Sequence, residues 1–265
     1  MSLRQCLFCE SDANSGEHMF PLWLLRRFDT PSGVRVSLER GSRQLPEWKM
    51  ACHDHRVRFV CTACNNGWMS NLENSAKPVL ERLLSDQSTV LDPKDQSIIA
   101  AWSAKCAMVF EVLRDGKEYF YTAEDRSDLK TRQNVPNHTV IYVAKCVELP
   151  GVYVKASDHS DTRDHSILST RLYSTTMGFG HLAVQVATMK SPILIPGIQP
   201  RITTDVVPGP WEDTTLTLQQ SGLSLAWPAA ISLNGELGLI AFANRWKVQH
   251  DPTVVNPLQG DVDRK

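Results

Sequence analysis

The pattern of apolar and polar positions changes character near residue 90. Before it the elements are short. "FPLWLLRRFD" predicts a brief helix that turns Trp23, Leu24 and Leu25 toward a core. "VRVSLER" (34–40) and "EWKM" (47–50) predict hairpin strands around "GSRQLP", and "RVRFV" (56–60) is a further strand with alternating charge. From 66 to 85, Trp68, Leu72, Val79, Leu80, Leu83 and Leu84 recur at helical spacing, with Pro78 interrupting or restarting the helix.

"LDPKDQSIIAAWSAKCAMVFEVLRDG" (91–116) is the clearest helix. Asp92 can cap it, Pro93 suits its first turn and Gly116 can stop it. It is apolar on most faces, which predicts burial. Beyond it "EYFYT", "HTVIYVAKCV", "GVYVKA", "ILSTRLYST", "GHLAVQVATM" and "AAISLNGELGLIAFA" read as strands, and "AEDRSDLKTRQ" (123–133) as a small helix. The expected fold is α+β: a small N-terminal domain over 1–90, then a domain over 91–250 with a mainly antiparallel sheet on a long helix. The polar, Pro-containing stretch 251–265 reads as a loose tail.

Composition narrows the function classes. With 42% hydrophobic and 22% charged residues, the 265-residue chain lies in the ordinary globular range. A net charge of −1 means that any nucleic-acid site is a local patch. No apolar run reaches the ~18 residues of a membrane helix. "MSLRQCLFCE" lacks a signal-peptide core, so the expected location is cytoplasmic, with no membrane partner.

The cysteines change the picture most. Seven are present, an odd number that argues against a disulfide framework. Cys106 and Cys146 fall in helix-like and strand-like apolar runs and read as buried inert thiols. Cys6, Cys9, Cys61 and Cys64 form two C-x-x-C pairs, the ligand set of a closed tetrahedral structural zinc site. Between the pairs lies Glu17-His18, and Asn65 follows Cys64 directly. If zinc ties the knuckles together, these three can converge. A carboxylate and an amide carbonyl are hard oxygen ligands for Mg²⁺ or a similar cation, and a neutral histidine can take a proton from water.

The pattern C-x-x-C, an acidic residue followed by His and a nearby Pro, then C-x-x-C-N opening a helix, resembles the HNH (His-Me finger, ββα-metal) endonucleases. The resemblance lies with their zinc-bearing, endonuclease VII-like subset and covers residues 6–84. It implies a zinc-stapled ββα-metal finger held by Cys6, Cys9, Cys61 and Cys64. It makes His18 the general base and Glu17 and Asn65 the ligands of a catalytic Mg²⁺ or Mn²⁺. The implied activity is hydrolysis of phosphodiester bonds, with DNA as partner, RNA left open, and a phage, restriction or defence role. Water would attack phosphorus while the metal stabilises the developing charge. The sequence departs from the family in carrying Glu17 where Asp is usual. It also has Arg56 where a middle Asn would orient the histidine. That departure favours the alternative, a non-catalytic zinc-stapled nucleic-acid-binding or scaffold protein.

Weaker signals remain. Arg56 and Arg58 share a strand face and can track phosphates, within a locally basic stretch from Arg26 to Arg58. His53 and His55 read as a solvated strand end. "SDHSDTRDH" (157–165) reads as an exposed loop rather than a metal loop. The region 91–250 could bind a regulator, recognise DNA or build a homodimer.

Overall fold

The computed structural model describes residues 4–28, 34–40, 43–44, 48–50, 56–85, 87–113, 119–147, 149, 151–160, 171–190, 202–203, 211–218, 222–245 and 247–248. His53, His55, Cys52, Gly116, residues 161–165 and the expected tail lie outside them.

In chain order the elements begin with β1 (Ser15–His18), α1 (Leu22–Arg27), β2 (Val34–Arg40), β3 (Arg43–Gln44), β4 (Trp48–Met50) and β5 (Arg56–Val60). A short α2 (Thr62–Cys64) and a π-type turn (Asn65–Met69) lead into α3 (Ser70–Leu83). Then come β6 (Thr89–Leu91), α4 (Pro93–Glu111), α5 (Ala123–Arg132), β7 (Thr139–Val147), β8 (Val152–Ser160), β9 (Arg171–Phe179) and β10 (Leu182–Lys190). The last are β11 (Ile202–Thr203), α6 (Trp211–Thr214), β12 (Thr215–Thr217), β13 (Leu225–Trp227), β14 (Leu233–Asn234), α7 (Gly235–Ala243) and β15 (Lys247–Val248). The architecture is α+β.

The main sheet runs β12-β7-β10-β9-β8-β2-β3, with β4 on β2 and β14 on β7. Its centre, β7 to β10, is antiparallel. Strand β2 makes the predicted hairpin with β4, but it also joins the sheet parallel to β8, from Val34↔Val152 to Arg40↔Asp158. Residues on both sides of position 90 thus share one sheet, and one hydrophobic cluster runs from Cys6 to Trp227.

Period-two alternation assigns the sheet faces. On β10, Leu182, Val184 and Val186 turn toward the cluster containing α4, whereas Ala183 packs with α7 residues Leu239 and Phe242. Helix α4 is buried from Ile99 to its end at Glu111. It starts as its sequence dictates: Asp92 Oδ1 accepts the Asp95 N–H at 2.7 Å, and Pro93 sits in the first turn. Phe20 packs against Phe110 of α4 and Phe179 of β9, with ring centroids 5.1 and 4.8 Å away. This contact ties the chain just after β1 to the core. No helix among the described residues is long and apolar enough to cross a membrane.

Several elements differ from expectation. Residues 119–122 form no strand. The Glu111 carboxylate at the end of α4 accepts the backbone N–H groups of Phe120 and Tyr121 and pairs with Arg126 at 3.1 Å. A strand there would have to give up those bonds. The run 229–243 is not a strand either: β14 covers two residues and α7 follows. Short apolar runs do not reveal their period, and Gly238 lets the helix sit on the Leu233 backbone, 3.2 Å from where a Cβ would stand. Helix α3 runs unbroken through Pro78, which lies on its exposed side. Finally, β8 extends to Ser160. Asp158, expected in a solvated loop, is buried and paired with Arg171 at 3.1 Å.

Candidate metal centre and the adjoining carboxylate site

The four paired cysteines come together. Their sulfur atoms lie within 4.8 Å of one another, with Cys9–Cys61 at 3.5 Å and Cys9–Cys64 at 3.7 Å. A tetrahedral ion with Zn–S near 2.3 Å requires S···S separations of about 3.8 Å, so the cluster can hold a metal ion such as zinc. Each knuckle is a tight turn whose backbone N–H faces sulfur: Phe8 N–H on Cys6 Sγ at 3.5 Å, Cys64 N–H on Cys61 Sγ at 3.3 Å. Such bonds stabilise thiolate.

Without a cation the thiols conflict. Burial, followed by the charge on Cys6, pushes Cys64 up to about 12, and burial also raises Cys6. At the more open Cys9, burial is outweighed by hydrogen bonds from Ser11 and the value falls to about 6. Thiolate is the metal-binding form, so a bound dication would favour it. Among the described residues, no other group of three His, Cys, Asp or Glu side chains gathers in this way.

The knuckles are tied to the strand pair between them. Strand β1 pairs antiparallel with β5, with Ser15 opposite Val60, Glu17 opposite Val57 and His18 opposite Arg56. Leu7 N–H bonds Phe59 O at 2.7 Å, joining the first knuckle to β5. Asn14 Oδ1 accepts the Thr62 N–H at 2.9 Å, and Asn65 Nδ2 donates to Ser15 Oγ at 2.8 Å. The backbone leaves helical geometry at Gly67 before α3 begins. Asn65 therefore lies against the strand that carries Glu17 and His18.

His18 is half-buried. Glu17 is 5% exposed and its Oε1 stands 3.5 Å from Lys105 Nζ on α4. Lys105 also reaches Glu73 Oε1 on α3 at 2.7 Å. Burial pushes the Glu17 carboxyl above its ordinary range, with Lys105 opposing the shift and Glu73 adding to it. Burial works against the Lys105 ammonium, but Cys106, Glu73 and Glu17 outweigh it and raise its value. The neighbouring Cys106 thiol is pushed up to about 12 by burial, and Cys146 to about 11, as inert thiols require.

Sequence reasoning missed Lys105, Glu73 and Ser15. Lys105 carried a signal: a cation inside "IIAAWSAKCAMVF" must find a partner if the helix is buried. Of the two arginines, Arg58 is exposed, whereas Arg56 is placed by its backbone alone, opposite His18. An open cleft of about 720 Å³ runs beside the first knuckle, lined among others by Phe8, Phe59, Tyr119 and Lys130. No family model, curated protein or solved structure matches the chain.

Proposed function

We propose that the protein is a metal-dependent endonuclease of the HNH, ββα-metal type, with a zinc-stapled finger built from β1, β5 and the α2–α3 segment. The observation that carries this reading is the Asn65–Ser15 hydrogen bond at 2.8 Å, which sets the residue after the second knuckle against the Glu17-His18 strand. The Asn65 side-chain carbonyl oxygen is a hard acceptor of the kind such a cation takes. Glu17 and Asn65 are the residues that would hold a catalytic Mg²⁺ or Mn²⁺, and His18 would take the proton from the attacking water. When bound, such a cation supplies charge stabilisation on the phosphate. The exposed Arg58 and the cleft beside the first knuckle suit a polyanion, with DNA as the proposed substrate.

One observation favours a second reading. The Glu17 carboxylate is already ion-paired with Lys105. In a non-catalytic, zinc-stapled nucleic-acid-binding protein that pair would be structure alone. The deciding experiment is nicking of supercoiled plasmid by zinc-replete protein with and without added Mn²⁺ or Mg²⁺, beside His18→Ala. Cation-dependent nicking lost in His18→Ala supports the endonuclease. DNA binding without nicking under every cation supports the second reading.

A further inference from the structure

Lys105 stands between two carboxylates from two different elements. It is fully buried, 2.7 Å from Glu73 and 3.5 Å from Glu17, whose side chain is 7% exposed. Charges this far from water are weakly screened. The shorter bond goes to Glu73. A buried ion pair is seldom needed for stability, since an apolar side chain of the same size packs as well. Lysine inside the apolar run of α4 therefore calls for a reason beyond packing.

That reason lies in the charge sum. With both carboxylates ionised, one ammonium between them leaves the triplet at net −1. One ammonium on Glu17 alone would leave a neutral pair. We infer that Glu73 shares Lys105 with Glu17 and takes the shorter bond, so that the ammonium does not fully neutralise Glu17 and the site keeps negative charge for a divalent cation. Glu73 and Lys105 are then positioning residues of the cation site, acting through Glu17. The inference rests on the reading of Glu17 as a cation ligand given above.

The test is Mn²⁺ titration of the full-length, zinc-loaded protein, followed by calorimetry. Wild type is compared with Glu73→Gln and with the double variant Glu73→Gln/Lys105→Met. Glu73→Gln should raise the Mn²⁺ Kd by about tenfold or more, because one unit of charge is lost from a poorly screened site. The double variant restores net −1 and should return to within a few-fold of wild type. Glu73 has a partly exposed side chain and its glutamine variant keeps the shape, so it should fold; zinc content checks each protein. Should the double variant lose zinc, Glu73→Gln/Lys105→Gln is read in its place. A Glu73→Gln protein that binds Mn²⁺ like wild type overturns the inference. So does a double variant as weak as Glu73→Gln, which would make Glu73 a ligand itself. If wild type retains zinc and binds no Mn²⁺, the reading of Glu17 and Asn65 fails and this inference falls with it. That failure is told apart by a flat wild-type titration.

Discussion

Asn65 Nδ2 donates to Ser15 Oγ across 2.8 Å, linking the residue after the second cysteine knuckle to the strand that holds Glu17 and His18. Asn14 makes a parallel tie to Thr62. Backbone pairing and these side-chain bonds thus set the distance between knuckle and strand. Removing one of them should loosen the site without unfolding it. Ser15→Ala is expected to cost about 1 kcal/mol of stability, the usual net value of one hydrogen bond. Under the proposed function it should also slow cleavage less than Asn65→Ala does. Denaturant midpoints and plasmid nicking on the same preparations check both.

The cysteine cluster makes a stoichiometric prediction. About one zinc should be found per chain by elemental analysis, since four thiolates close a single tetrahedral site. Cys61→Ala and Cys64→Ala should lose it. Because the metal's binding energy is folding energy, chelation should lower the melting temperature of wild type. Soluble, folded protein without zinc would overturn this.

Under the proposed function, His18→Ala should retain zinc, fold and DNA binding. Its cleavage rate should fall by about 10²–10⁴-fold, the contribution of one positioned base. Cleavage by this variant at the wild-type rate would leave the cysteine-tied segment with a scaffold role only.

Glu111 closes α4 onto the segment before α5. It is 1% exposed, accepts from the Phe120 and Tyr121 backbones and pairs with Arg126. Glu111→Ala leaves a buried guanidinium and orphaned N–H groups. A loss of about 3–5 kcal/mol is expected, as for breaking one side of a buried pair. Double substitution with Arg126→Met should recover part of it. Equilibrium urea unfolding measures both.

Asp125 gives a pH signature. Burial alone would raise its carboxyl, but hydrogen bonds from Lys190 and from Thr122 outweigh it and lower the value from 3.8. A carboxyl with a depressed folded value stabilises the protein above its unfolded value. The contribution is lost as pH falls below 3.8 toward the folded value. Asp125→Asn should therefore melt lower than wild type at neutral pH, and the gap should narrow as the pH drops below 3.8. Melting curves from about pH 6 to about pH 3 follow this window. A gap that stays constant across it would refute the assignment.

Short-range chemistry was readable from the chain by itself. The spacing Cys6-x-x-Cys9 and Cys61-x-x-Cys64 already dictates two sulfur-bearing turns, since each knuckle is closed by its own backbone. Asp92 and Pro93 start α4 because capping is local, and Thr122 with Asp125 starts α5 by reciprocal bonding that is equally local. The strands β7 to β10 were visible because β-branched and aromatic residues concentrate in them. What the tertiary structure decided depends on partners far along the chain. "GELGLIAFA" became α7 rather than a strand because packing on the β7–β9 face, not its ambiguous period, selected the helix. "EYFYT" lost its strand to the Glu111 carboxylate. Parallel pairing of β2 with β8 crosses more than a hundred residues, and no local pattern encodes it. The same holds for Lys105: its sequence position announced a buried charge, but only the packing of α3 and β1 against α4 determined that it would stand between Glu73 and Glu17.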